Sequence, residues 1–220
     1  MPDALRTHHS AIRDELVNFG RCIVKKPHGT IKRAFDIVSA LTGVVLTSPF
    51  LIASIVWVKI KDPGPALFKQ WRVGKDGRLF KIYKLRTMVL DAENGTKAVL
   101  AKSDDERVIA GCRWMRKSHV DELPQFWNIL KGDMSLVGPR PERPEILEEY
   151  TIHIPTMTDR LKVKPGLTGL AQIRNGYSAD VEGMKRKYEY DMEYIESHSV
   201  VEDIKIVLGT LPKVWDRSAN

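Results

Sequence analysis

Between Ile37 and Val58 the chain carries no charged side chain, and everywhere else Lys, Arg, Asp or Glu interrupt it at short intervals. As a helix, this run is roughly 33 Å long at 1.5 Å per residue, enough to cross a hydrocarbon core of about 30 Å. Two features oppose a simple span. Lys32 and Arg33 precede the run, and Lys59 and Lys61 follow it, so neither flank looks like a translocated side. Pro49 removes a backbone donor near the middle, crowds the Val45 carbonyl and bends or breaks the helix, and Ser48 can back-bond to Val44 and favour the same bend. The pattern leaves three readings open: a kinked span, a helix that enters a bilayer and returns to the same face, and a buried core helix.

Downstream, "KDPGPA" is turn material that ends the helix. "LFKQWRVGKDGRLFKIYKLRTM" reads as a β-hairpin, two runs rich in Val, Ile, Phe, Tyr and Trp around a glycine-bearing "GKDG" turn. Residues 91–106 are polar and suit a mobile loop, and "RVIAGCRWMRK" reads as a helix. Another helix is expected from about Asp180 to Ser197, charged all round with a tyrosine stripe suited to packing. The closing "VVEDIKIVLGTLPKVW" is amphipathic, with Lys213 and Trp215 suited to a bilayer interface, although a C-terminal core helix reads much the same. Residues 1–30 form a basic arm without a readable motif.

Charge narrows the partners. The 220 residues contain 35 Lys and Arg against 28 Asp and Glu, a formal +7, which favours an anionic partner such as phosphate ligands, acidic lipid or nucleic acid. Nucleic acid is disfavoured, because the basic residues are not interleaved with aromatics in a recognisable module. Cys22 and Cys112 are isolated, giving neither a disulfide framework nor a zinc spacing and pointing to a reducing compartment. No secretory signal is visible, since residues 1–30 are polar.

The densest chemistry lies in "RKSHVDELPQFWNILKGDMSLVGPRPERPE", residues 116–145. Asp121 and Glu122 are adjacent at an expected helix start, where Ser118 opens a capping box to Asp121 or Asp121 is itself the cap. Either way the helix dipole favours ionised carboxylates, and their mutual repulsion invites a cation. Ordinary capping is the bland alternative. Arg116 and Lys117 stand just before the pair, and a proline-stiffened loop supplies Arg140 and Arg143, suited to bidentate grip on phosphate. Lys81, Lys84 and Arg86, on or after the second hairpin strand, are either a solvated face or a cationic wall for phosphate. "KVKPGLTGLAQIRNG" is a plain turn or a loop whose amides face a phosphate or nucleotide.

Together, "KRAFD", "SP" within the apolar run, "DGRLFKIYKLRTM", "DELPQFWNILKGDMSLVGPRPERP" and "KPGLTGLAQI" resemble the bacterial sugar transferase family, the monotopic phosphoglycosyl transferases, over about residues 31–210 and in the family's order. The resemblance is to its small catalytic-core type. It implies transfer of a sugar 1-phosphate from a UDP-sugar to a polyprenyl phosphate such as undecaprenyl phosphate, with release of UMP. This is the initiating membrane step of glycoconjugate or exopolysaccharide assembly. It further implies Asp121 as nucleophile, Glu122 at Mg²⁺ beside Asp121, and Arg116 and Arg140 on substrate phosphates, with Lys84 and Arg86 of the hairpin's cationic wall expected to join them. Ser48-Pro49 becomes the break of a re-entrant helix, with Lys32, Arg33 and Asp36 at headgroup level. The expected architecture is α+β, mostly helical: a basic arm at 1–30, the re-entrant helix at 31–61, and a catalytic domain at 62–220 with the hairpin and interfacial amphipathic helices. The expected location is the cytoplasmic face of a bacterial inner membrane, in contact with its lipid and without nucleic acid, with a homodimer left open. Alternatives are a polyprenyl-phosphate glycosyltransferase, which releases UDP, and a non-catalytic membrane scaffold. The chain departs from the family in Asp105-Glu106-Arg107, where "DPR" is usual, and in "SHV", which makes His119 unfamiliar.

Overall fold

The apolar run forms one helix, α1 (Gly29–Lys61, 33 residues), in a computed structural model that describes residues 29–90, 92, 105–175 and 181–215, with side chains through residue 212. Residues 1–28 of the arm, Cys22, most of the 91–106 loop and the side chains of Lys213 and Trp215 lie outside the described residues. The helix is continuous through Pro49, so the expected break does not interrupt it. Proline cannot donate to the Val45 carbonyl. Ser48 Oγ donates to that carbonyl instead, at 3.0 Å, rather than to Val44, and Thr47 Oγ1 donates to Gly43 at 2.7 Å.

The two ends of α1 dock on the same protein body. Asp36, Ala40, Ser54 and Val58 are buried on its inner face, while Val45, Leu46 and Phe50 are each about two-thirds exposed (68–70%) on the outer one. Near the N-terminus, Asp36 Oδ1 accepts from Ser135 Oγ at 2.8 Å and Leu136 N at 3.0 Å. Near the C-terminus, Trp57 Nε1 donates to Gly111 O at 3.0 Å, and Arg86 Nη1 to Asp62 Oδ2 at 2.9 Å. Midway, Gly43 lets the helix approach Phe126 so closely that a Cβ would stand 2.5 Å from the ring.

The hairpin forms as its pattern predicts. Strands β1 (Leu67–Val73) and β2 (Leu79–Leu85) pair antiparallel, from Leu67 opposite Leu85 to Val73 opposite Leu79. Asp76 (φ 55°) and Gly77 (φ 72°) carry the turn in the left-handed region, where short polar residues and glycine are tolerated. The helix expected over 107–117 is shorter: α2 is Arg113–Lys117. Gly111 at φ 84° cannot continue a right-handed helix, and Val108 instead bridges Met88.

A 3₁₀ turn, Val120–Glu122, leads into α3 (Gln125–Lys131). Strand β3 (Ser135–Val137) pairs parallel with β4 (Gly166–Thr168), and between them lie α4 (Pro144–His153) and a 3₁₀ segment, Pro155–Lys162. Helices α5 (Leu170–Arg174), α6 (Val181–Ser197) and α7 (Val200–Trp215) complete the described chain, α6 matching the expected tyrosine-striped helix. The largest core joins Ala40 of α1 to Ile82, Ile129, Val137, Tyr194 and Ile206, and a second joins Val58 to Leu85, Cys112 and Met115. The outcome is the α+β, mostly helical class.

The glycine-punctuated loop is not a plain turn, since part of it, Gly166–Thr168, is strand β4 and is tied to the segment after β3. Gly166 N donates to Pro139 O and Gly138 N to Thr168 O, both at 2.9 Å. A Cβ on Gly166 would collide with Gly138 N, and one on Gly138 with Lys164 O.

Candidate active site

Local backbone geometry sets the carboxylate pair. Neither expected cap forms: Ser118 Oγ donates backwards to Trp114 O at 2.8 Å, and Pro124 rather than an acidic residue occupies the N-cap of α3. Asp121 and Glu122 instead sit on the 3₁₀ turn, entered through His119, whose backbone is left-handed at φ 55° and ψ 16°. The amide of Glu122 donates to the His119 carbonyl at 3.0 Å and so closes the turn on that residue.

Both carboxylates are buried, at 7% exposure each, and their surroundings differ. Glu122 Oε1 accepts from Lys84 Nζ at 2.7 Å and from Arg140 Nη2 at 2.5 Å, and Oε2 from Arg140 Nη1 at 3.2 Å. Burial alone would raise its pKa, but the Arg140 and Lys84 charges outweigh that and hold it well below the ordinary carboxylate range. Asp121 accepts no hydrogen bond among the described residues. Burial pushes its carboxyl up, Lys84 opposes the shift, Glu122 reinforces it, and Arg116 and His119 oppose it further. One carboxylate is a fixed anion clamped by cations. Its neighbour is more basic, undersolvated and free to act as a nucleophile.

Supporting contacts place the cations. Asn128, fully buried, donates through Nδ2 to Lys81 O at 2.8 Å and accepts through Oδ1 from Tyr83 N at 3.0 Å, so one side chain continues the β2 hydrogen-bonding edge and locks α3 against the strand carrying Lys84. The Arg140 loop is fastened just after the arginine. Arg72 Nη1 donates to Pro141 O at 3.2 Å, Glu142 pairs with Lys187 and lies 3.5 Å from Arg160 Nη1, and Arg160 Nη2 binds Asp191 at 2.6 Å. Burial works against the Glu142 anion, yet Lys187 and Arg160 hold its pKa down to about 2.

Asp121, Glu122, Lys84 and Arg140 are thus brought together, with Arg116 acting on Asp121 through its field. Arg86 is not: its guanidinium is buried against Asp62, with Nη2 also donating to the Asp62 carbonyl at 2.5 Å. Arg143 lies 3.6 Å from Glu145, and Lys81 stacks over Trp71. Lys32 and Arg33, expected at headgroup level, are largely occupied within the protein. Lys32 Nζ meets Asp203 Oδ2 at 2.8 Å and Asp36 Oδ1 at 3.2 Å, while Arg33 donates to the Ile129 and Leu130 carbonyls at 2.6 and 2.8 Å, capping the end of α3.

Sequence reasoning missed Asn128 and the Glu142–Arg160–Asp191 network. A lone amide inside "FWNIL" was the one available signal; long-range ion pairs leave none. Among the described residues no group of three or more His, Cys, Asp or Glu side chains is arranged to hold a metal. Both Glu122 oxygens are engaged by Lys84 and Arg140, so within the pair it is the Asp121 carboxylate that has no donor among the described residues.

The sequence matches the family model described as "Bacterial sugar transferase" over residues 27–217. It is 43% identical over 181 residues to a UDP-N-acetylgalactosamine-undecaprenyl-phosphate N-acetylgalactosaminephosphotransferase of Aeromonas hydrophila, covering 82% of this chain and 43% of that protein. It is also similar to two proteins named UDP-glucose:undecaprenyl-phosphate glucose-1-phosphate transferase. One, from Caulobacter vibrioides, is 43% identical over 83% of this chain and 69% of its own. The other, from Escherichia coli, is 44% identical over 83% of this chain and 40% of its own. The chain therefore spans less than half the length of two of these three relatives. With the family match reaching from before α1 to beyond α7, the chain belongs to the bacterial sugar transferase family.

Proposed function

We propose that this chain transfers a sugar 1-phosphate from a UDP-sugar to a polyprenyl phosphate such as undecaprenyl phosphate, through an ester on Asp121. The carrying observation is the contrast within the carboxylate pair: Glu122 is clamped by Lys84 and Arg140, and Asp121 is buried beside it with a raised pKa and no hydrogen-bond donor among the described residues.

The reaction sets anion against anion, and the cations answer that problem. Arg140 and Arg116 would bind the diphosphate oxygens, Arg140 keeping part of its fork on Glu122. An Asp121 oxygen attacks the sugar-bearing phosphorus, the bond to the bridging oxygen breaks, and UMP leaves with the electron pair. A phosphate oxygen of the polyprenyl acceptor then attacks the same phosphorus. The aspartyl ester breaks, and Asp121 is again a free carboxylate. When bound, Mg²⁺ held by Glu122 and Asp121 would supply further charge neutralisation on the diphosphate.

A monotopic, re-entrant placement on the cytoplasmic face of the inner membrane belongs to the same reading. Its support is that both ends of α1 dock on one body, although a straight helix of this length would reach about 50 Å, while residues such as Phe50 expose apolar surface between them. A simple span would carry one end to the far side.

The test is to incubate purified protein with single UDP-sugars and no acceptor. Release of UMP, together with a phosphosugar mass on the peptide containing Asp121, supports the proposal. Active transfer to polyprenyl phosphate with no such adduct overturns the covalent route, and UDP as product overturns the reaction class.

A further inference from the structure

A cavity of about 220 Å³ opens where the start of α1 meets the hairpin turn and the segment before β4. It shares no lining residue with the carboxylate pair or its cations. Five cationic side chains line it, Lys32, Arg33, Lys75, Lys162 and Lys164, against one carboxylate, Asp36.

These cations are not equally satisfied. Lys32 is paired with Asp36 and Asp203, and Lys162 with Asp159 at 2.9 Å. Arg33 has only backbone carbonyls as partners, which leave its charge uncancelled. The side chains of Lys75 and Lys164 make no hydrogen bond or ion pair among the described residues. Arg33 Nη2 and Lys164 Nζ crowd the same spot, 3.6 and 3.5 Å from where a Cβ of Gly132 would stand. Burial lowers the pKa of Lys164, and the like charges of Arg33 and Lys75 lower it further, more than Asp36 and Asp133 restore.

Like charges gathered around a cavity raise the energy of the empty protein, and an anion relieves it. A guanidinium and two ammonium groups on three separate elements, α1, the hairpin turn and the β4 approach, suit a phosphate group met from several sides. We propose that this cavity is a second, non-catalytic binding site for a phosphate-type anion, with Lys75, Lys164 and Arg33 as its contacts. A free phosphate compound and a phospholipid headgroup share that chemistry. The proposal stands apart from the transfer reaction, because its contacts do not touch Asp121.

The test compares the wild-type chain with the Lys75→Ala/Lys164→Ala and Lys75→Arg/Lys164→Arg double variants. One arm titrates inorganic phosphate into detergent-solubilised protein and follows it by ³¹P NMR; the other measures flotation with phosphatidylcholine vesicles with and without phosphatidylglycerol. A control pair, Lys117→Ala/Lys205→Ala, removes two lysines outside the cavity. The alanine pair is expected to lose roughly thirtyfold in affinity in at least one arm, with the arginine pair near wild type and the control pair changed far less. Loss in the phosphate arm identifies a soluble ligand, and loss in the phosphatidylglycerol arm alone identifies a headgroup. Equal binding by wild type and alanine pair in both arms overturns the proposal, as does an equal loss in the control pair. UMP release from UDP-sugar in detergent should be unchanged by the alanine pair, so failure of this site and failure of the transfer reading are separable.

Discussion

Arg140 and Glu122 meet side on, two guanidinium nitrogens against two carboxylate oxygens at 2.5 and 3.2 Å. Each therefore fixes the plane of the other. Arg140→Lys keeps the charge and loses that plane, so UMP release should fall about a hundredfold, as for loss of a single oriented transition-state donor. Arg140→Ala should in addition move the acid limb of the pH–rate profile upward, because the Glu122 carboxyl is freed from one of the two charges that hold it down. An unmoved limb would show that Glu122 does not titrate in the active range.

Asp121→Asn should abolish adduct formation and turnover while sparing the fold. Burial raises this carboxyl, so the folded protein holds the proton more tightly than the unfolded chain does, and its contribution to stability is lost as pH rises through the folded pKa. Thermal unfolding of wild type and variant should coincide at acid pH and separate as pH rises, with the asparagine form the more stable at pH 8.

Glu142 carries the opposite sign. With its pKa held down to about 2, its contribution is present above the ordinary glutamate range and lost as pH falls through about 2. Glu142→Gln should cost about 3 kcal/mol at pH 7, leaving buried Arg160 short of a partner, and the difference should shrink on acidification in urea unfolding. Turnover should drop as well, because this residue fastens the loop carrying Arg140.

Asn128→Leu keeps the volume of the side chain and deletes both bonds to β2. The amide of Tyr83 and the carbonyl of Lys81 would be left short of partners, a loss of about 2 kcal/mol. Hydrogen exchange should rise at Tyr83, and the KM for UDP-sugar should rise as Lys84 loosens from Glu122.

Tags at the two termini should be reachable from the cytoplasm alone in intact cells. Labelling of the N-terminal tag from the periplasm would overturn the re-entrant placement.

The hairpin and α6 were legible because their patterns are local: alternating apolar residues around a glycine turn, and tyrosines at helical spacing. The carboxylate pair and Arg140 were legible as neighbours in sequence. Arg86 was not, because its fate depends on Asp62, a residue beyond the hairpin that only the turn after α1 brings within 2.9 Å. Capping by Ser118 failed for a similar reason. His119 takes a left-handed backbone that starts a tight turn of its own, a conformation histidine adopts more readily than most residues but that nothing in the surrounding pattern marks. The β3–β4 pair joins segments about thirty residues apart through three-residue strands, too short to leave any periodicity.

The position of Ala40 in one core and Val58 in the other has a practical consequence for anyone wishing to work without detergent. Deleting the first 61 residues would not liberate a water-soluble enzyme. It would uncap α3, leave Ser135 without the Asp36 carboxylate and open two cores at once. The apolar helix is a structural beam of the protein, shared by both cores rather than appended to them.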